Sequence, residues 1–313
     1  MEKLISVIIP AFNEEPMIEK AYGAIHTVLD EKNIPFELIF IDDGSKDETW
    51  KMIKKCALKD TAVIGIRFSR NFGKESAISA GLKKAKGACC VVIDCDLQHP
   101  PEKIVEMYGM WQQGYEIVEA RKASRGKESP IHTFFTKIFY GLMSNATKVD
   151  MRHASDFKLL DRKVIDALNR FDEANPFFRA LSSWVGFKCG TVEFEVQERT
   201  AGTTKWSTKS LILYAINNVV CFTATPLKLV TFMGGGLVFV SVILSIEAII
   251  QKIRGTAAVG FTTVIILLCL IGGIIMISLG IIGMYIEKIF DEVKNRPIYI
   301  VSQEVNGGSE REN

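Results

Sequence analysis

Apolar positions along this chain follow two different patterns. In the N-terminal part, short apolar runs alternate with stretches of helical period: Leu4 to Ile9, Phe36 to Ile41, Ala62 to Arg67 and Cys89 to Ile93 read as buried strands. After the first strand the turn Pro10-Ala11-Phe12-Asn13-Glu14-Glu15 leads into a helix predicted to run to about Glu31. After the second, Asp42-Asp43-Gly44-Ser45 ends the strand, and Ser45-Lys46-Asp47-Glu48 resembles a capping box for the next helix. Strands alternating with helices predict an α/β fold, a Rossmann-like, mostly parallel sheet with helices on both faces, which binds ligands at the carboxyl ends of its strands.

The second pattern is continuous. Leu229 to Ile250 carries no charge until Glu247, and Gly260 to Ile286 carries none. Each run exceeds the roughly 20 residues that cross about 30 Å of hydrocarbon as a helix, so two transmembrane helices are predicted. Gln251-Lys252-Ile253-Arg254-Gly255-Thr256 is short enough to make them an antiparallel hairpin, with the globular region and the tail on one side. Lys205, Lys209, Lys228, Lys288, Lys294 and Arg296 flank the hairpin against Lys252 and Arg254 in its loop, which puts that side in the cytoplasm. Met1 to Pro10 is too short an apolar stretch for a cleavable signal peptide. The stripe Ile131, Phe134, Phe135, Ile138, Phe139, Leu142 and Met143 is either core or an interfacial helix with Lys137 and Lys148 on its polar side. The expected domains are 1–205 globular, 206–226 interfacial, 227–288 the hairpin (about 229–250 and 260–286) and 289–313 a cytoplasmic tail, disordered towards Gly307 to Asn313.

Composition excludes more than it assigns. A chain of 313 residues, 48% apolar, holds one substantial core plus an appendage. Its net charge of +2 names no partner, and its basic residues do not gather with aromatics on a nucleic-acid-binding module. The seven cysteines lack CxxC or zinc spacing and read as reduced structural thiols. No GxGxxG follows the first strand and no GxxxxGK[ST] occurs, which disfavours dinucleotide and P-loop sites.

Candidate chemistry sits where the fourth strand runs into Asp94-Cys95-Asp96-Leu97-Gln98-His99-Pro100-Pro101. Two carboxylates one residue apart at a sheet rim suit a hard divalent cation holding phosphates; an isolated Asp-x-Asp is also a common helix cap. Asn13-Glu14 and Asp42-Asp43 fall at the same rim, so three polar turns imply one shared crevice.

These segments resemble the inverting glycosyltransferases of family 2, specifically the polyprenyl-phosphate type that includes dolichyl-phosphate mannose synthase and bacterial bactoprenol glucosyltransferases. The matching blocks are Val7 to Glu15, Ile41 to Thr49, Phe68 to Gly81, Asp94 to Glu102, Asp156 to Val164 and Gln197 to Trp206, followed by the two apolar runs. The resemblance implies a GT-A catalytic domain and a nucleotide-sugar donor. Pro10, Phe12, Glu14, Ile41 and Asp43 would surround the base and ribose, and Asp94, Cys95, Gln98 and Arg121 would complete the donor site. Asp94 and Asp96 would hold Mg2+ or Mn2+, and Asp156, Asp96, Arg199 and Lys205 would carry catalysis. The block Arg199 to Trp206 departs from the QxxRW signature of processive synthases, which implies transfer of a single sugar.

The acceptor implied is undecaprenyl or a related polyprenyl phosphate at the inner membrane of a bacterium, and the branch implies UDP as the nucleotide. Asp156 aligns with the residue assigned as catalytic base, yet a lipid monophosphate has its second pKa near 6 and is largely ionised at neutral pH. Asp156 is therefore expected to act mainly by positioning. Gly234 to Gly236, Gly272, Gly273, Gly280 and Gly283 allow close helix packing, so a homo-oligomer is expected, a tetramer by the resemblance. The alternatives are a transferase to another lipid such as diacylglycerol, and a catalytically silent membrane scaffold retaining the nucleotide pocket.

Overall fold

The computed structural model describes residues 3–122, 141, 155–171, 173, 176–195, 225–254, 260–307 and 309–312. Its contacts divide the chain into two units, Met1–Ser207 with Arg296–Asn313, and Thr208–Asn295.

The predicted strands form the centre of the first unit. They are β1 (Ile5–Ala11), β2 (Phe36–Asp42), β3 (Val63–Phe68) and β4 (Cys89–Val92), all parallel, in the order β4-β1-β2-β3. These strands are buried almost without interruption, which is why they read as continuous apolar runs rather than alternating ones. Between them run α1 (Glu15–Glu31), α2 (Thr49–Lys59) and α3 (Lys74–Lys84). Helix α1 starts with Pro16 in its first turn, where a missing N–H costs nothing, and buries Met17, Ile18, Ala21, Ile25 and Leu29 along one face.

Beyond β4 the sheet turns mixed. After α4 (Glu102–Gln112) come β5 (Ile117–Lys122), β6 (Lys158–Asp161), α5 (Arg162–Leu168), α6 (Phe178–Trp184) and β7 (Cys189–Phe194). Strand β6 lies antiparallel between β4 and β5, and β7 closes that edge parallel to β5.

The opposite edge corrects the expected disordered tail. Val301–Asn306 forms β8, antiparallel to β3, and Ser309–Glu312 forms β9, so the sheet order is β7-β5-β6-β4-β1-β2-β3-β8-β9. Val305 is fully buried in the core and packs where Gly65 leaves room, and Lys84 of α3 pairs with Glu304.

Among the described residues the second unit has two long helices in contact with each other, α7 (Thr225–Ile253) and α8 (Phe261–Lys294). Both outrun the expected ends: α7 takes in Gln251 to Ile253 of the predicted connection, and α8 continues past Ile286 until Asn295 adopts a left-handed conformation at φ 44°. Pro226–Leu244 and Leu270–Lys294 are long and apolar enough to cross a membrane, with mean hydropathies of 2.1 and 2.0 and no part of either window buried. Phe232 and Phe239 are 81% and 68% exposed; apolar surface on this scale suits lipid rather than water. The seven apolar residues of the predicted stripe, Ile131 to Met143, and residues 206–224 of the predicted interfacial segment lie outside the described residues.

Candidate active site

The first two rim turns are knitted together before any ligand is considered. Asn13, at φ 53°, donates its backbone N–H to Ser45 Oγ (2.8 Å) and accepts the Lys46 N–H on Oδ1 (2.9 Å), while the Glu14 N–H donates to Thr49 Oγ1 (2.9 Å). The predicted capping box is therefore not formed. The Ser45 hydroxyl serves Asn13, and Asp47 Oδ1 accepts the Thr49 N–H at the start of α2 (3.1 Å). Asp42 is buried, accepts the Ser45 N–H (2.9 Å) and pairs with Arg67 Nε (3.2 Å); burial pushes its pKa up against those favourable contacts.

Asp43 serves a loop. Its Oδ1 accepts the Phe72 N–H (2.6 Å), and its Oδ2 accepts the Gly73 N–H (2.9 Å) and Asn71 Nδ2 (2.8 Å). Gly73, at φ 99°, turns the chain so that these amides face the carboxylate and α3 can start at Lys74. Burial raises the Asp43 pKa, with the two backbone amides acting the other way.

Lys74 joins the remaining carboxylates. Its Nζ lies 2.6 Å from Asp94 Oδ1 and 3.0 Å from Asp156 Oδ2. Arg179 of α6 grips Asp156 from the other side, Nε to Oδ1 at 3.0 Å and Nη2 to Oδ2 at 2.9 Å. Burial alone would favour a neutral Asp156, but the charges and hydrogen bonds of Lys74 and Arg179 outweigh it and hold the carboxyl well below the usual range. Burial likewise opposes charge on Lys74, and Asp156 and Asp94 overcome it, so its pKa rises. Glu75 accepts the Phe178 N–H (2.8 Å); burial first and the Asp156 charge second push it up to about 7.

A buried pair adjoins this arrangement. Glu119 and Lys158 face each other across β5 and β6, with Nζ 3.1 Å from Oε1. Lys158 is 1% exposed and also donates to Ser182 Oγ (2.9 Å), Ser183 Oγ (3.2 Å) and the Arg179 carbonyl (3.4 Å). Glu119 accepts the Ser155 N–H (3.2 Å), next to Asp156, and Arg121 Nε (3.1 Å). One network thus runs from Arg121 through Glu119, Lys158, Arg179, Asp156 and Lys74 to Asp94.

Two of the predicted donor-site residues have their side chains in the core. The Ile41 side chain is fully buried and packs at Gly81 of α3, and Cys95 is 3% exposed within the core, its thiol pKa raised by burial. Pro10, Phe12, Glu14 and Gln98 are half-buried, at or beyond the carboxyl ends of β1 and β4. Arg199 and Lys205 lie outside the described residues.

Sequence reasoning missed Lys74, Glu75, Arg179, Glu119 and Lys158. Lys74 and Glu75 stand inside the Phe68 to Gly81 block, and Lys158 interrupts the apolar strand Phe157-Lys158-Leu159-Leu160, which signals a buried counter-charge.

The donor set fits a hard cation. Asp96 is half-exposed at the turn that Leu97 makes at φ 55°, and one of its oxygens accepts the Gln98 N–H (3.1 Å). Among the described residues no three His, Cys, Asp or Glu side chains gather as metal ligands. An ion held by one or two aspartates that takes its other oxygens from phosphate and water suits magnesium or manganese.

A mostly parallel sheet with an Asp-x-Asp turn beyond β4 and an ion-paired aspartate beside it is the arrangement of a GT-A-like glycosyltransferase. The profile of Glycosyl transferase family 2 matches residues 6–168, and the chain belongs to that family. It is 40% identical over 308 residues to the uncharacterized glycosyltransferase YkcC of Bacillus subtilis, covering 95% of this chain and 93% of that one. It is 33% identical over 305 residues to the SfII prophage-derived bactoprenol glucosyl transferase of Shigella flexneri (97% and 99% covered) and 34% identical over 301 residues to the prophage bactoprenol glucosyl transferase homolog of Escherichia coli K12 (96% and 98%). In fold it is similar to glucosyl-3-phosphoglycerate synthase of Mycobacterium tuberculosis, crystallised with Mn2+, uridine diphosphate and phosphoglyceric acid: TM-score 0.53, 19% identity, 70% of this chain and 76% of that one covered.

Proposed function

We propose that the chain transfers one sugar, a hexose or N-acetylhexosamine, from a UDP-linked donor to a polyprenyl phosphate at the cytoplasmic face of a bacterial membrane, inverting the anomeric carbon. The observation that carries the acceptor class is the state of Asp156. A carboxylate gripped by Arg179 and Lys74 and held far into its ionised range is a poor proton acceptor at neutral pH. An alcohol such as diacylglycerol must lose a proton on attack, whereas a phosphate monoester with its second pKa near 6 arrives already ionised. Relatives named bactoprenol glucosyl transferases, matched along nearly their whole length, support the same acceptor.

In this mechanism the acceptor oxygen bonds to the anomeric carbon as the bond to the donor's β-phosphate breaks, and the electron pair leaves with the nucleoside diphosphate. One displacement inverts the centre. Lys74 and Arg179 offset the charge of two converging anions and keep Asp156 fixed, and Asp156 orients the sugar or the acceptor. Asp94 and Asp96 would hold Mg2+ or Mn2+, which supplies charge stabilisation on the departing diphosphate. Helices α7 and α8 span the bilayer and bring the site to a lipid that cannot leave it. A methyl group added at Gly234, Gly235, Gly236, Gly272, Gly273, Gly280 or Gly283 would meet, beyond its own stretch of helix backbone, no atom of the described residues within 4 Å, and we assign these faces to a homo-oligomer.

The test is a panel of radiolabelled nucleotide sugars with undecaprenyl phosphate and Mn2+, with diacylglycerol and EDTA as parallel arms. A labelled, phosphate-linked polyprenyl product is expected. Label on diacylglycerol, or no transfer from any donor, would overturn the proposal.

A further inference from the structure

The chain that leaves α8 returns to the catalytic unit within a few residues, and its first aromatic residue lands on the loop that organises the site. Tyr299 stacks on Phe68 with ring centroids 5.0 Å apart and an interplanar angle of 12°. Phe68 is 1% exposed at the end of β3 and meets Phe72 edge-on at 5.8 Å. Phe72 and Gly73 then give their amides to Asp43, and the next residue, Lys74, bridges Asp94 and Asp156. Backbone pairing runs alongside the stack: the Ser69 N–H donates to the Ile300 carbonyl (3.0 Å), and Ser302 Oγ donates to the Arg67 carbonyl (3.1 Å). The β3–β8 register shifts between Arg67 and Phe68, an irregularity of the kind that re-aims a strand end.

We infer that Tyr299 is a positioning residue for the donor site: the C-terminal segment clamps residues 68–73 so that the Asp43-bound amides and Lys74 keep their places. The inference rests on the nucleotide-sugar reading above. The Tyr299 ring is half-buried, which raises its phenol pKa, and the near-parallel stacking puts its ring plane rather than the hydroxyl at the contact. Tyr299→Phe should therefore work and Tyr299→Ala should not. Tyr299→Leu, which keeps apolar bulk without the ring plane, separates stacking from simple filling.

Two measurements on the full-length protein in detergent decide the matter. Hydrogen exchange of residues 69–74 should accelerate by about tenfold in Tyr299→Ala and Tyr299→Leu, with β1 unchanged in the same sample and Tyr299→Phe like wild type. Calorimetric titration with UDP plus Mn2+ should show Kd raised by about 3- to 10-fold in the same two variants, the size of one aromatic pair's contribution. Unchanged exchange at 69–74 overturns the clamp, and altered exchange with unaltered Kd overturns its part in donor binding. A wild-type protein that binds no UDP refutes the donor reading and with it the clamp's role there, while exchange still shows whether the contact itself exists.

Discussion

Arg179 holds Asp156 through both ends of its guanidinium group, Nε on one carboxylate oxygen and Nη2 on the other, at 3.0 and 2.9 Å. A planar fork matched to a carboxylate is not reproduced by a lysine. Arg179→Lys should keep the charge, lose the orientation and lower kcat by about 10- to 100-fold, with a smaller change in donor KM. Steady-state kinetics over a range of donor concentrations checks the split; an unchanged kcat would show that the second bond is dispensable.

Lys74 ties Asp94 to Asp156. Lys74→Met leaves two carboxylates facing each other without their shared cation, so activity should fall by at least about 100-fold. Lys74→Arg should recover part of it. Equal loss in both variants would place the requirement in the length of the side chain rather than in its charge.

Glu75 titrates in the opposite sense to Asp156. With its folded pKa pushed up to about 7, it holds a proton that the unfolded chain releases near about 4.3. Its contribution to stability is therefore greatest below about 4.3 and declines as pH rises towards about 7. Glu75→Gln can still accept the Phe178 N–H and cannot ionise. It should be more stable than wild type by about 1 kcal/mol at about pH 8, with a gain that shrinks towards about pH 5. Thermal melts at both pH values would reveal a pH-independent difference if Glu75 were ionised throughout.

The tail supplies a further prediction. Val305 is fully buried against Gly65 and the core. Val305→Ala should cost roughly 2 kcal/mol, and removal of the segment from Arg296 onward should strip the edge of β3 and yield unfolded or aggregated protein. A soluble, active truncated protein would contradict the assignment of these strands to the catalytic unit.

What the sequence disclosed follows from the range of the interactions concerned. The strands β1 to β4, helix α1 and the placement of the Asp94-Cys95-Asp96 turn depend on local apolar runs and turn residues, and they lie within one or two residues of expectation. Lys74 and Arg179 were invisible because their partner Asp156 lies 82 residues from one and 23 from the other. Only the folded sheet brings them together. Strand β8 was hidden because Val301-Ser302-Gln303-Glu304-Val305-Asn306 is polar and mostly half-buried, although Asn306-Gly307 carried a legible hairpin signal. The burial of the Ile41 and Cys95 side chains was not legible either, since matching a sequence block says nothing about which side of the strand each side chain takes.

The central claim is that Asp156 positions rather than accepts a proton, and the pH dependence of Asp156→Asn tests it most directly. Rates of transfer to undecaprenyl phosphate would be compared with wild type between about pH 6, where the acceptor is half-ionised, and about pH 8.5, where it is fully so. A positioning role predicts a large loss, on the order of 100-fold or more, that is the same across this range. Strong recovery of the variant at the alkaline end would contradict it and make Asp156 the base.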